Sequence, residues 1–441
     1  MMRSIKHPFV TSWIRYNPRP LDVAAKVDAY FRKYPSKPND DRYLRALHLA
    51  RVDYSGPKVY PFHINDSIAN FQHTNTSPGC PYRQTGYRRK DEVPAIMIKN
   101  AVRRYKEGEW TKCIHPCIAV CKSMVAKVPK CRLVWVYPAD MTFAEGMFAQ
   151  PLIHQLMGER SHYAQWVQYS KGHMSYLQGQ LPNSWKWLGL DYSSYDSTVP
   201  PWLIRDAFDI LCERIDFTRY HGNGIPEPNN LRRLWRVIIK YFIETPIKLP
   251  SGKVVVKKGG VPSGSYFTSL VNSVCNCIIM HYLLDGKAYS RSASWQLGDD
   301  MLVAVGEAIH MEGIAKVALK VFGVIVNADK SEYGSYVSFL GYRMSPKGKP
   351  VANYEKLVAQ LCLPDRPDYT IGDFVARARA LQLSCFGHGS WQFVCETEAF
   401  IVSVGAQDWI PKLRKRSELR SKLEALDLAH YPPLTRVMMQ V

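Results

Sequence analysis

The sequence predicts an α+β fold, and three observations carry that prediction. Ala293–Leu297 and Met301–Val305 are short apolar runs separated by Gly298-Asp299-Asp300, the pattern of strand, tight turn and strand. Ser263–Leu284, the longest stretch of low charge, reads as an interior helix behind a glycine-containing loop. Pro200–Phe217 and Gly306–Gly323 carry helical apolar spacing, the first with two prolines at its entrance.

Along the chain, residues 1–90 are rich in proline, aromatic and basic groups, with helical stretches around Ala24–Tyr34 and Asp41–Val52. Val93–Tyr105 has the spacing of a helix with a basic outer face. Prolines 116, 129, 138 and 151 then punctuate the chain, which argues for strands and loops there. Trp185–Asp196 (WKWLGLDYSSYD) reads as a strand breaking into a polar turn, and Thr245–Gly260 as a hairpin turning at Ser251-Gly252. The tail, notably Lys412–Leu426, is helical and basic, and no internal repeat is present.

At 441 residues the chain is long enough for about three lobes. With 46% hydrophobic and 22% charged residues it is a globular sequence, which excludes disorder and low complexity. An excess of 58 Lys+Arg over 38 Asp+Glu points to a polyanionic partner. The 11 cysteines are odd in number and dispersed, which suits a reducing compartment better than a disulfide framework. Cys113, Cys117 and Cys121, with His115 beside them, fit no common closed zinc site, and thiols along one side of a helix explain their spacing. No signal-peptide core or run of transmembrane length is seen, so no membrane partner is expected.

Adjacent carboxylates between two apolar strands are unusual, because each loses water and repels the other. A turn acid alone is ordinary. A second acid-bearing segment changes its meaning: Asp191 ends an apolar strand, and Asp196 follows five residues on. If that strand lies beside the hairpin, Asp191 and Asp299 face one another and demand cations. Two divalent ions would supply the compensation and form a clamp for in-line phosphoryl transfer, with magnesium expected from the hard oxygen ligands.

These residues belong to an ordered motif series, from about Thr76 to Met344, that resembles viral RNA-dependent RNA polymerases. The resemblance is strongest to the small partitivirus- and picobirnavirus-type enzymes of double-stranded RNA viruses, with kinship to picornavirus-like ones. Asn75–Tyr82 (NTSPGCPY) looks like the loop guarding the template entrance, with Thr76, Ser77 and Gly79. Lys127–Met141 looks like the basic fingertip strand over the triphosphate, with Lys127, Lys130 and Arg132. LDYSSYD resembles the first palm motif, where Asp191 binds metal and Asp196 senses the sugar. Gly259–Asn272 (GGVPSGSYFTSLVN) resembles the second, with Ser263, Thr268 and Asn272 near the nucleotide and Gly259, Gly260 and Gly264 near template and nascent pair. LGDD is the third, with Asp299 the principal ligand and Asp300 supporting. Lys330 stands at the fourth-motif lysine, and Leu340 and Gly341 lie in Val337–Met344, which looks like the primer-gripping hairpin.

The resemblance implies a right-hand polymerase whose fingertips reach the thumb and enclose the channel, a closed hand. Its expected divisions are an N-terminal extension and fingers over 1–186, ferredoxin-like palm over 187–207 and 257–350, a fingers insertion over 208–256, and a short helical thumb and tail over 351–441. It further implies two Mg2+ ions, replaceable by Mn2+, with RNA template, nascent RNA and ribonucleoside triphosphates as partners. A viral capsid protein is a further partner it would allow, with the virion interior or host cytoplasm as location. Arg132 and Lys130 would pair with phosphates. Lys330 would protonate the departing pyrophosphate, and Asp196 with Asn272, Ser263 and Thr268 would read the 2′-hydroxyl. Arg88-Arg89-Lys90, Arg103-Arg104 and Lys412–Arg416 are expected to meet RNA phosphates or solvent. Two other readings are a non-catalytic RNA-binding protein keeping this fold and a reverse transcriptase. The paired acids oppose the first, and Asp196 with Asn272 opposes the second.

Overall fold

The computed structural model describes residues 12–432 except 74, 110–113, 223, 345–348, 386–390, 407–417 and 427. Helix α1 (Asp41–Asp53) starts where the Asp40 side chain accepts from the Tyr43 amide, an ordinary N-cap. β1 (Cys117–Ser123) and β2 (Cys131–Val136) pair antiparallel. Cys117 and Cys121 therefore lie on a strand and not on a helix, and Cys113 falls outside the described residues.

α2 (Ala139–Gly158) overturns the expectation of strands and loops around the prolines. Pro138 sits at its N-cap and Pro151 lies inside it. A helical proline frees the carbonyl four residues back. Here that carbonyl, on Met147, accepts instead from the Phe62 amide at 2.7 Å. Burial of Met141, Phe143, Met147, Phe148, Leu152 and Leu156 then outweighs local propensity.

β3 (Lys186–Gly189) leads through a short strand at Tyr192–Ser193 and a helical turn at Tyr195–Thr198 into α3 (Pro201–Cys212), which runs unbroken across residues 207 and 208. α4 (Asn230–Ile243) follows, then β4 (Pro246–Lys248) and β5 (Val254–Val256), the hairpin expected at Ser251-Gly252, with Gly252 at φ +87°. β4 joins β1 in parallel, giving a sheet ordered β2-β1-β4-β5.

α5 (Thr268–Leu283) is buried continuously from Leu270 to Leu283, as a helix apolar on all sides should be. It packs against α1 and β6 (Tyr289–Leu297). β7 (Asp300–Val305), α6 (Met311–Phe322) and β8 (Glu332–Gly334) complete this lobe. The central sheet is ordered β8-β3-β7-β6, with antiparallel neighbours throughout. In chain order that is 4-1-3-2, with helices in both crossovers, the split βαβ arrangement expected of a ferredoxin-like unit.

β9 (Ser338–Phe339) and β10 (Tyr342–Arg343) form the hairpin anticipated around Leu340-Gly341, whose φ values of +52° and +81° match a two-residue turn with both central residues left-handed. Beyond it, α7 (Tyr354–Cys362), α8 (Ile371–Leu383) and α9 (Trp391–Ser403) build a separate small core around Leu357, Val358, Leu381 and Phe393. No described helix is long and apolar enough to cross a membrane.

Candidate active site

The register of the central sheet brings the acids together. Val303 faces Leu188 and Val305 faces Lys186, so antiparallel pairing carried three residues on sets Asp191 level with Asp300. Leu297 pairs with Asp300, leaving Gly298 and Asp299 as a two-residue turn. Gly298 takes φ +67° in the first position, as a hairpin turn led by glycine requires.

Buried polar groups of α5 hold this turn. Ser273 Oγ accepts from the Gly298 amide at 2.8 Å, and Asn276 Nδ2 donates to the carbonyls of Gly298 (3.2 Å) and Asp299 (3.1 Å). Asn276 Oδ1 in turn accepts from the Tyr192 hydroxyl at 3.0 Å. Ser273 and Asn276 were absent from the sequence-predicted set, and their signal was polar groups on an otherwise apolar interior helix. The backbone of Asp191 is fixed from the other side: its amide donates to Ser331 Oγ (3.0 Å) and its carbonyl accepts from Asn327 N (2.8 Å). Asn327 Oδ1 also accepts from the Lys330 amide. The cap-like Asx turn and the lysine beside Asp191 thus coexist.

The carboxyls are under electrostatic stress. Desolvation first, then Asp299 and Asp191, push Asp300 up to about 6, although solvent reaches its edge. Asp191 is raised by desolvation and by Asp299, against the lowering pull of Lys330 and Lys130. Asp196 is raised by desolvation, opposed by its hydrogen bond from Asn272 Nδ2 (2.8 Å), and it feels Asp299 and Arg132. Ser263 Oγ lies 3.3 Å from its other oxygen. Asp191, Asp196, Asp299, Asp300, Lys130, Arg132 and Lys330 are therefore one electrostatic group. The donor set is carboxylate oxygen carrying unrelieved negative charge, which fits hard divalent cations.

Other expected residues fall elsewhere. Thr268 Oγ1 donates to the carbonyls of Pro262 (2.6 Å) and Ser265 (2.8 Å), so it braces the loop and does not join the Asp196 network. Lys127 pairs with Glu355 on α7 at 3.0 Å and lies over the Trp13 ring. Thr76, Ser77 and Gly264 line a cavity of about 1080 Å3 that also contains Lys90, Trp135, Tyr163 and Tyr266 but not the acids. Lys90 is buried and donates to the Ser77 carbonyl at 2.7 Å.

The glycines are used chiefly for packing against protein. A Cβ on Gly264 would lie 1.7 Å from the Trp135 carbonyl oxygen, and one on Gly260 would meet the Tyr30 ring and the Asp196 carbonyl. Gly259 abuts Tyr34, and Gly79, at φ +72°, abuts the Tyr137 carbonyl. Of the basic stretches, Arg89 pairs with Asp91 and Glu92, Arg103 with Glu107 and Arg104 with Glu109. Lys412–Arg416 lies outside the described residues.

A second group of possible ligands lies further along α5. Asp53, Cys277 and His281 bring ligand atoms within 4.8 Å of one another, a spacing a divalent cation can bridge. The Asp53 carboxylate, however, already receives Arg291 Nη2 at 2.5 Å and His281 Nε2 at 2.7 Å.

The family described as viral RNA-dependent RNA polymerase matches residues 40–362. The RNA-directed RNA polymerase of Cryptosporidium parvum virus 1 (strain KSU-1) is 25% identical over 394 residues, covering 80% of this chain and 70% of that protein. The genome polyprotein of Ornithogalum mosaic virus is 25% identical over 322 residues, 68% of this chain and 26% of the polyprotein, so the chain spans only a part of that relative. Among solved structures, the RNA-dependent RNA polymerase of a human picobirnavirus superposes with TM-score 0.68 at 15% identity, covering 89% of this chain and 74% of that one. The Sicinivirus 3Dpol polymerase gives TM-score 0.71 at 17% identity, with 92% of each chain covered.

Proposed function

The chain belongs to the viral RNA-dependent RNA polymerase family, and on that premise we propose that it extends RNA on an RNA template by nucleotidyl transfer at the Asp191–Asp299 site. The observation that carries this reading is the convergence of Lys130, Arg132 and Lys330 with carboxyls raised by desolvation and by one another at one end of the central strands.

Asp191 and Asp299, supported by Asp300, would hold two Mg2+ ions, for which Mn2+ could substitute. When bound, such ions supply charge neutralisation for the triphosphate and activation of the attacking 3′-hydroxyl. The chain's own groups do the rest. Arg132 and Lys130 orient the triphosphate from β2 and its approach. Asp196, held by Asn272 and Ser263, presents acceptors to the ribose 2′-hydroxyl, and a site built for that hydroxyl rejects a sugar lacking it. Lys330 donates a proton where charge develops on the leaving pyrophosphate. The cavity lined by Thr76, Ser77 and Gly264 suits the incoming template strand, and the Leu340-Gly341 hairpin suits the primer end.

In this reading β1, β2, α2 and α4 belong to the fingers, the central sheet to the palm and α7–α9 to a compact thumb. Fingers and thumb meet: Lys127 pairs with Glu355, and Arg15 Nε donates to the Leu363 carbonyl at 2.8 Å while Nη1 reaches Ser123 and Asp365. Those contacts support a closed hand. Replication and transcription of a double-stranded genome, in the manner of partitivirus- and picobirnavirus-type polymerases, with a capsid protein nearby in virion or cytoplasm, belong to the same proposal.

The test is incorporation of labelled ribonucleotides on a short single-stranded RNA, with and without primer and with Mg2+ or Mn2+. Template-dependent synthesis that Asp299→Ala abolishes is expected. RNA binding without incorporation under every metal and priming condition would overturn the reading.

A further inference from the structure

One buried acid takes no part in the chemistry above. Glu145, on α2, has no solvent exposure. Its Oε1 lies 2.7 Å from Ser265 Oγ, and its Oε2 accepts from the Tyr266 amide at 2.7 Å. Ser265 Oγ also accepts from the Phe267 amide at 3.0 Å. The carboxyl therefore ties down the downstream end of the loop from Gly259 to Phe267.

The same loop is held elsewhere by close contacts. Upstream, the buried Lys257 Nζ donates to the Gly260 carbonyl at 2.9 Å and to the carbonyls of Phe242 and Ile243 at the end of α4. In the middle, Gly264 is wedged against the Trp135 carbonyl, and Ser263 Oγ lies within hydrogen-bond distance of both the Leu133 carbonyl (3.1 Å) and Asp196 (3.3 Å). Leu133, Trp135 and Glu145 all lie on the β2–α2 segment, so one stretch of chain frames the loop along its length. Ser265, which Glu145 grips, lies two residues from Ser263.

We infer that Glu145 is a positioning residue for sugar selection: by gripping Ser265 and Tyr266 it fixes the loop that delivers Ser263 to Asp196. This rests on the polymerase reading of Asp196. Burial pushes the Glu145 carboxyl up to about 8, so near neutral pH it acts as an uncharged hydrogen-bonding group, and glutamine is a close stand-in.

The measurement is the ratio of kcat/KM for a ribonucleotide to that for its 2′-deoxy analogue at one template position, alongside Tm. Glu145→Leu should lower that ratio by about tenfold, on the scale of one lost hydrogen bond, whereas Glu145→Gln should restore it. Glu145→Leu added to Ser263→Ala should lower the ratio no further than Ser263→Ala alone, because both act through one contact. A ratio unmoved by Glu145→Leu while Tm falls, or effects that multiply in the double variant, would overturn the inference. Should Glu145→Leu fail to fold, Ser265→Ala removes only the gripped hydroxyl, and an unchanged ratio there overturns it equally. A wild-type protein without Asp299-dependent incorporation removes the polymerase reading and this inference together, whereas an active wild type with unmoved ratios removes this inference alone.

Discussion

Two acid-bearing sites, one a cluster of carboxylates and one a single aspartate, sit along α5 and solve the same electrostatic problem in opposite ways. At Asp53 the protein supplies its own counter-charge: Arg291, His281 and, at 3.8 Å, His162 surround the carboxylate, whose pKa is drawn below its ordinary value despite desolvation. At Asp191, Asp299 and Asp300 the nearby positive groups leave the acids stressed, with Asp191 and Asp300 both raised. A buried acid matched by internal cations is a structural fastener. An acid left short of counter-charge at the solvent-open end of the central strands stores an affinity for something brought from outside. The ligand spacing of the Asp53 cluster thus says less about metal than the unrelieved charge of the other.

That contrast can be broken by mutation. Asp299→Ala should reduce incorporation by roughly a thousandfold or more, the scale of removing a principal electrostatic stabiliser, while Tm stays level or rises. A clear fall in Tm would make Asp299 a fastener as well. Asp53→Ala should do the reverse, costing about 3–5 kcal/mol because Arg291 and His281 lose their buried partner. Chemical denaturation measures it, and a loss of activity per folded molecule comparable to that of Asp299→Ala would erase the distinction.

Lys330→Leu comes next in size. Single-turnover incorporation at saturating nucleotide should slow by about a hundredfold, as for loss of a general acid, with RNA affinity little changed. An unaltered rate would leave Lys330 as a turn residue beside Asp191.

The smallest effect is in pH. For Asp300, raised from 3.8 to about 6, the folded protein holds its proton more tightly than the unfolded chain, so without divalent cations stability falls as pH rises from about 4 through 6. Asp53 has the opposite sign: its lowered pKa stabilises the fold above 3.8, and that contribution is lost as pH falls below it. Thermal melts of wild type and Asp300→Asn, with and without Mg2+, check this. Both the substitution and the ion should flatten the loss between pH 4 and 6, and parallel curves in all cases would refute the assignment.

Much of the site was legible because its local chemistry is periodic or punctuated. Apolar runs around Gly298-Asp299-Asp300 marked β6, β7 and their turn, and the uncharged stretch after Ser263 marked α5. Pro151 misled because a proline's local penalty was offset by a bond from distant Phe62 and by burial on all sides of α2. For Thr268 and Lys127 a motif position gives the neighbourhood, whereas the partner of the polar atom depends on which carbonyl or acid arrives there.

By itself, the sequence determined the two acid-bearing segments, the helix that follows the glycine loop and the basic strand before them, because strand alternation, turn glycines and motif order are local properties of the chain. The tertiary structure decided which charges are answered. Only the 4-1-3-2 sheet brings Asp191 to the Asp299 turn, and only packing of α1 and α2 supplies Arg291 with Asp53 and Glu145 with Ser265. Electrostatic stress depends on distance and desolvation through space, and neither is a property of neighbours along the chain.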